Sequence, residues 1–244
     1  MNIYAVIIGT EILNGRREDK HFHYLRDKLK EYGYTLFASF VIKDDQELME
    51  KIYTMIKSDP KSVMFSFGGI GSTPDDLTRD IASKVFRSSS TKRHEKFFQD
   101  IIEKFGDEAY PHRIHMADLP PSSKLLPNPI NNMSGFYLDQ RYFFMPGFPQ
   151  MSHPMIDFIL ENIIQKSFKN TYRKTLKAQT SENELINVMK QISQEVEMSS
   201  LPIIKGEKRE VEISVAGDNE ELIKKEFLKF TDELEKKGII YKII

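Results

Sequence analysis

The run Ile3-Tyr4-Ala5-Val6-Ile7-Ile8 carries no charged or amide side chain and stops at Gly9. A strand that is apolar on both faces must be covered on both faces, which calls for a sheet inside a layered α/β fold. The next stretches of chain fit that demand. Phe22, Leu25, Leu29 and Tyr32 recur at spacings of three and four and Gly33 closes the pattern, as in an amphipathic helix with a glycine stop. Tyr34–Ile42 reads as a second strand, Leu48, Ile52, Met55 and Ile56 as one face of a second helix, and Val63–Phe67 as a third strand broken by Gly68 and Gly69. A further helix is expected from Pro74 or Asp75, since proline and carboxylates suit a first turn. Such alternation predicts a mostly parallel sheet sandwiched by helices.

Between Pro111 and Pro154 the character changes: eight of the eleven prolines fall in this stretch, leaving room only for short strands such as Gly135–Leu138 and Tyr142–Met145. A helix from about Gln150 to Ile164 ends the first part. A boundary near Lys169-Asn170 predicts two domains, 1–168 and 169–244. The second reads strand (Tyr172–Ala178), helix, strand (Leu201–Ile204), strand (Arg209–Ala216), helix, strand (Ile239–Ile244), a βαββαβ order that predicts a small ferredoxin-like α+β module. Ser181 with Glu184, and Asp218 with Glu221, have the spacing of capping boxes at its two helices.

Composition excludes several classes. Of 244 residues 40% are hydrophobic, too many for a disordered chain. The absence of cysteine removes disulfides, thiolate metal sites and thiol nucleophiles. A formal charge of −1 gives no global pull toward nucleic acid, and the run Lys166, Lys169, Arg173, Lys174, Lys177 reads as a solvated face. No apolar stretch is long enough to span a membrane and the N-terminus lacks a cationic leader, so a cytoplasmic protein without nucleic-acid or membrane partners is expected.

The chemistry concentrates in Phe65-Ser66-Phe67-Gly68-Gly69-Ile70-Gly71-Ser72-Thr73-Pro74-Asp75-Asp76-Leu77-Thr78. Glycines directly after a buried strand let the backbone approach a ligand, and the peptide N–H groups between Ile70 and Thr73 are expected to form a receptacle for phosphate-type oxygens. Ser72 and Thr73 add hydroxyl donors. The lysine of a Walker loop is missing, as is the dinucleotide Gly-x-Gly-x-x-Gly spacing. Asp75 and Asp76 make sense if one binds Mg²⁺ or a ligand amine or ring nitrogen and the other caps the helix, and a plain strand–helix turn accounts for the same residues without any ligand. Gly9-Thr10-Glu11 and Lys43-Asp44-Asp45 end the first two strands at the same sheet edge, with Asp45 as helix cap and Asp44 free to face a ligand. Pro146-Gly147-Phe148-Pro149 is a stiff turn that can wall a pocket. Asp19 with His23, and His112 with His115, have only the weak spacing of surface pairs; there is no His-Glu-x-x-His and no serine nucleophile elbow.

Gly9-Thr-Glu-Ile-Leu-x-Gly15, Val41-Ile-Lys-Asp-Asp45, Gly68-Gly-Ile-Gly-Ser-Thr-Pro-Asp-Asp-x-Thr78 and Pro146-Gly-Phe-Pro149 occur in that order. Together they resemble the MoaB/Mog molybdopterin-binding family as found in the N-terminal part of CinA proteins, over about residues 3–165. The resemblance implies molybdopterin or an adenine nucleotide as ligand, with Mg²⁺ or another divalent cation, and a homo-oligomer, dimer or trimer. It implies catalytic and metal-holding roles for Asp44 and Asp76. Ligand contacts are implied at Gly9, Thr10, Glu11, Gly68, Gly69, Gly71, Ser72, Thr73, Asp75, Thr78, Pro146, Gly147 and Pro149. No counterpart of the CinA deamidase domain is present, so nicotinamide-nucleotide deamidation is not expected. The chain departs from the family pattern at Asp19-Lys20-His21-Phe22, at Asn131-Asn132-Met133-Ser134-Gly135 and at Met151, where an oxygen-bearing side chain is usual.

Three readings are open to such a chain. The first is a protein that binds a phosphate-bearing small molecule, molybdopterin or nucleotide, at the glycine loop. The second is a metal-dependent pyrophosphatase for ADP-ribose-type nucleotides or an adenylyl transferase. The third is a scaffold with a vestigial pocket, in which Asp44 and Asp76 need not converge with the loop.

Overall fold

The computed structural model describes residues 1–167, 172–205 and 208–244. The chain forms two compact units, Met1–Ser167 and Phe168–Ile244; the expected boundary at Lys169-Asn170 lies outside the described residues.

The first unit runs β1 (Asn2–Ile8), a single turn α1 (Thr10–Leu13), α2 (His21–Glu31), β2 (Leu36–Ile42), α3 (Gln46–Ser58), β3 (Ser62–Phe67), α4 (Thr78–Arg87), β4 (Lys92–Arg93), α5 (Glu95–Phe105), β5 (Asp118–Leu119), β6 (Lys124–Leu126), β7 (Gly135–Leu138), β8 (Tyr142–Met145) and α6 (Pro149–Asn162). Six strands make one sheet in the order β2-β1-β3-β8-β7-β6. The pairs from β2 to β8 are parallel, and β7 and β6 add antiparallel. Side-chain alternation divides the core into two layers. Tyr4, Val6 and Ile8 face Met49, Tyr53, Ile56 and Ile81, while Ile3, Ala5 and Ile7 face Leu25, Leu29, Ile156 and Ile159. Each fully buried aliphatic or aromatic side chain here contributes about 1.5–3 kcal/mol.

Two expectations need correction. The helix after the glycine loop starts at Thr78, not at Pro74 or Asp75, and neither aspartate caps it: Leu77 holds the cap position without a side-chain bond. The Asp76 carboxylate is engaged inside the loop instead. The helix α5 is not anticipated by the strand–helix alternation, which it interrupts, although Phe97 and Ile101 stand four apart and His94 caps it through its ring nitrogen. Asp45 does cap α3, accepting from the Leu48 amide at 2.8 Å.

The second unit runs β9 (Tyr172–Ala178), a one-turn α7 (Ile186–Met189), β10 (Glu197–Lys205), β11 (Lys208–Gly217), α8 (Glu220–Lys236) and β12 (Tyr241–Ile243). Its sheet order, β10-β11-β9-β12, is antiparallel throughout, the arrangement of a split βαβ module. The expected capping boxes are not formed. Ser181 makes no cap bond and leads only into a tight 3₁₀ turn. At α8 the cap is Asn219, which accepts from the Leu222 amide at 3.1 Å, one residue beyond Asp218. Ile213, Val215, Phe227, Phe230 and Leu234 close a separate core. Among the described residues no helix is long and apolar enough to cross a membrane.

Candidate functional site

In the parallel part of the sheet Ile8 lies beside Ile42, Ile7 beside Phe67, and Phe67 beside Met145. The segments after these strands, Gly9–Glu11, Lys43–Asp45, Gly68–Thr73 and Pro146–Phe148, therefore leave the sheet at one level, outside the carboxyl ends of the strands, where open α/β sheets hold ligands.

The glycine loop is tightly constrained. Gly68 has φ +101°, and a Cβ there would lie 2.4 Å from the Ile8 carbonyl oxygen; Gly69 has φ +67°, and a Cβ would lie 2.4 Å from Thr78 Oγ1. Neither space nor backbone conformation admits a side chain. Thr78 is fully buried; its hydroxyl donates to the Gly68 carbonyl at 2.9 Å and its amide donates to the Gly69 carbonyl at 3.0 Å. It braces the loop from beneath and is not among the residues that line the cleft.

Asp76 changes the picture of the receptacle. Its Oδ1 accepts from the Gly71 amide at 2.8 Å, and its Oδ2 accepts from the Thr73 amide at 2.8 Å and the Thr73 hydroxyl at 2.6 Å. The expected row of vacant N–H groups is thus half filled by the protein's own carboxylate. Among the described residues no acceptor takes the Ile70 or Ser72 amides.

Beside the loop opens a cleft of about 500 Å³. Of the anticipated residues, Glu11, Asp44, Gly68, Gly69, Gly71, Ser72, Thr73, Asp75, Asp76, Pro146 and Gly147 line it; Gly9, Thr10, Thr78 and Pro149 do not. Thr10 acts indirectly, since its amide and hydroxyl both donate to Asp44 Oδ2 at 2.9 Å and so aim that carboxylate. The chain turn holding Asp44 is thereby tied to the turn after β1.

Sequence reasoning missed the cationic and aromatic components. Arg17 donates through Nη2 to the Gly147 carbonyl at 2.8 Å, lies 3.6 Å from Glu11 and stands 5.1 Å over the half-exposed Phe148 ring. Arg113 donates to the Glu108 carbonyl at 2.8 Å and stacks 4.5 Å over Phe105. Phe97, Met116, Met133 and Met151 complete an apolar wall, and Asn131 donates to the Met151 sulfur at 3.6 Å. The proline-rich stretch frames the cleft through Asn131, Met133 and Ser134 and leaves it open. The cleft is fit to hold a flat ring against its apolar side and an anion near its arginines.

His21 supports the floor. It is buried, stacks on Phe67 at 4.6 Å, and its two ring nitrogens lie 3.3 Å from the Gly147 carbonyl and 3.2 Å from the Ser152 hydroxyl. Burial drives its pKa down to about 4, so the ring is neutral at neutral pH. Asp19 accepts from the amides of His21 and Phe22 at the start of α2, and His115 pairs with Asp118 at 2.8 Å.

These donors do not make a cation cage from protein groups alone. Among the described residues no three Asp, Glu or His side chains come together as metal ligands. Both Asp76 oxygens serve the loop and one Asp44 oxygen serves Thr10. That leaves too few oxygens for a cage made by protein alone.

The comparisons with known proteins agree with this architecture. The family model described as "Probable molybdopterin binding domain" matches residues 4–166. A CinA-like protein of Syntrophotalea carbinolica is 31% identical over 175 residues, covering 68% of this chain and 40% of that protein. A CinA-like protein of Geotalea uraniireducens is 28% identical over 183 residues, covering 70% and 43%. This chain therefore spans less than half the length of these relatives. The crystal structure of CinA from Thermoplasma acidophilum superposes with a TM-score of 0.61 at 25% identity, over 67% of this chain and 99% of that one. On the strength of the match over residues 4–166, the chain belongs to the molybdopterin-binding domain family of MoaB/Mog and CinA-like proteins.

Proposed function

We propose that this protein binds a small molecule built from a flat heterocycle and a phosphate group, a molybdopterin or an adenine nucleotide, in the cleft beside the glycine loop. The observation that carries this reading is the composition of one cleft. Within about 500 Å³ it joins the Gly68–Thr73 backbone, Arg17 and Arg113, and the rings of Phe97, Phe105 and Phe148. That size and mixture suit a ligand of nucleotide dimensions. The Ile70 and Ser72 amides and the arginines offer donors to phosphate, and the apolar wall offers stacking area.

A scaffold with a vestigial pocket is disfavoured, because Asp44, Asp76 and the loop line the same open cleft. The metal-dependent pyrophosphatase or transferase needs Asp44 and Asp76 to share a cation, and Asp76 is engaged by the loop. Mg²⁺ is ordinarily held by one or two carboxylates together with ligand phosphates and water. On this reading a divalent cation enters with the ligand, and Asp44 Oδ1 is its protein donor.

A thermal-shift panel of adenine nucleotides, pterins and the corresponding dephosphorylated compounds tests the proposal. Ligand at a hundredfold excess over Kd should stabilise the fold by about 2.7 kcal/mol. Phosphorylated members should raise the melting temperature and their dephosphorylated counterparts should not. A flat response across the panel would contradict the reading.

A further inference from the structure

The three hydrogen bonds that Asp76 accepts are the ones a tetrahedral oxyanion would accept at the same place. Two come from backbone amides and one from a hydroxyl, all between 2.6 and 2.8 Å, with the charge on the acceptor. A carboxylate in this seat excludes phosphate from it both by occupancy and by repulsion.

A second observation is independent of the loop. Arg79, in the first turn of α4, is only 8% exposed, and its Nη1 is screened from solvent without any hydrogen-bond acceptor. A buried charged donor with no partner is rare in native folds and points to an acceptor that arrives in another state. Three carboxylates stand near it: Asp76 and Asp80, which line one pocket with Arg79, and Asp118. Asp118 is held by Arg93 at 2.6 Å and His115 at 2.8 Å, and Asp80 accepts from the Thr91 hydroxyl at 3.2 Å. Of the three, Asp76 alone lines the cleft together with the groups that hold it, Gly71 and Thr73.

Resting on the phosphate-binding reading, we propose that Asp76 is an internal stand-in for the ligand's phosphoryl group. An incoming oxyanion takes the Gly71 and Thr73 amides and the Thr73 hydroxyl, and the displaced carboxylate turns to Arg79. No covalent bond changes. The loop keeps its hydrogen bonds, Arg79 gains its acceptor, and negative charge moves away from the phosphate. The exchange selects for anionic ligands, since a neutral ring cannot replace the carboxylate. Arg79 is then a positioning residue that acts on the ligand through Asp76.

The test is a titration of the ¹⁵N-labelled full chain with inorganic phosphate, following the Gly71 and Thr73 amides and the Arg79 side chain. In the native protein phosphate should shift all three. Asp76→Asn removes the competing charge while keeping the shape, and should bind phosphate about tenfold more tightly. Arg79→Met should bind it about tenfold more weakly, and this loss should vanish in the Asp76→Asn background, because the two residues act as a pair. Weaker binding by Asp76→Asn, or an Arg79→Met effect of equal size in both backgrounds, would overturn the proposal. A native titration that moves only Ile70 and Ser72 would overturn it as well, whether or not the variants fold. If nucleotides bind the cleft while phosphate leaves Gly71 and Thr73 unmoved, the exchange fails and the ligand-binding reading stands; if neither binds, both fail.

Discussion

At Gly69 the backbone conformation and the space above Cα make the same demand. Gly69→Ala would have to hold φ +67° with a methyl group 2.4 Å from Thr78 Oγ1. A left-handed conformation at a non-glycine residue costs about 1–3 kcal/mol, and the clash adds to it by pushing Thr78 off the Gly68 carbonyl. Denaturant unfolding should show a loss of at least that size together with lost ligand response; a variant of native stability would show that the loop is slack. His21 gives a pH signature. The folded ring resists protonation down to about pH 4, whereas the unfolded ring takes up its proton near 6.5. Stability from this group is therefore complete above pH 6.5 and is lost as pH falls toward 4, by about 3 kcal/mol. His21→Phe keeps a ring on Phe67 and should show a shallower acid loss than the native protein in urea midpoints measured from pH 7 to pH 4. Equal slopes would mean that the imidazole is not held neutral.

Elements differ in how legibly the chain announces them. The strands Gly135–Leu138, Tyr142–Met145 and Tyr172–Ala178 stand where their apolar spacing and flanking turn residues put them. The glycine loop was legible as a tight turn after a buried strand, and the structure places it along a cleft. Its internal wiring was not legible. Whether Thr78 points up into the cleft or down into the core, and whether Asp76 bonds the loop or caps the helix, turns on one residue of helix phase that composition cannot fix. Arg17 and Arg113 left no signal at all, because an arginine that reaches a cleft from an irregular or short 3₁₀ segment looks in sequence like any solvated cation. The turn Pro146–Pro149 carries its own prediction. Phe148 is 55% exposed, with the Arg17 guanidinium 5.1 Å from its ring centre. If it stacks on the ligand ring, Phe148→Ala should lower affinity by about 1–3 kcal/mol, the scale of one aromatic stacking contact. Stability should be nearly unchanged. Calorimetric titration with AMP checks it, and unaltered affinity would place the ring elsewhere in the cleft.

At the scale of the molecule, the two units have separate cores: the layers around the six-stranded sheet draw on residues of Met1–Ser167 alone, and the smaller core on residues beyond it. We therefore expect residues 1–167, expressed by themselves, to melt cooperatively and to keep the ligand response; a molten fragment would show that the second unit completes the first. Self-association is what the family resemblance implies, and an exposed strand edge is where it is expected. β2 is the edge strand of the six-stranded sheet, paired there with β1 alone among the described residues, and it leaves Phe37 62% and Val41 38% exposed. Sedimentation should give a dimer or trimer, and a monomer at micromolar concentration would contradict that expectation. Ligand binding, the Asp76 exchange and the role of Phe148 all depend on where the phosphate sits, and a crystal structure of the full chain soaked with AMP measures that directly. Phosphate density is expected against the Ile70–Thr73 backbone and adenine density along the aromatic wall; AMP bound away from the glycine loop, or an empty cleft at saturating nucleotide, would contradict the proposed site.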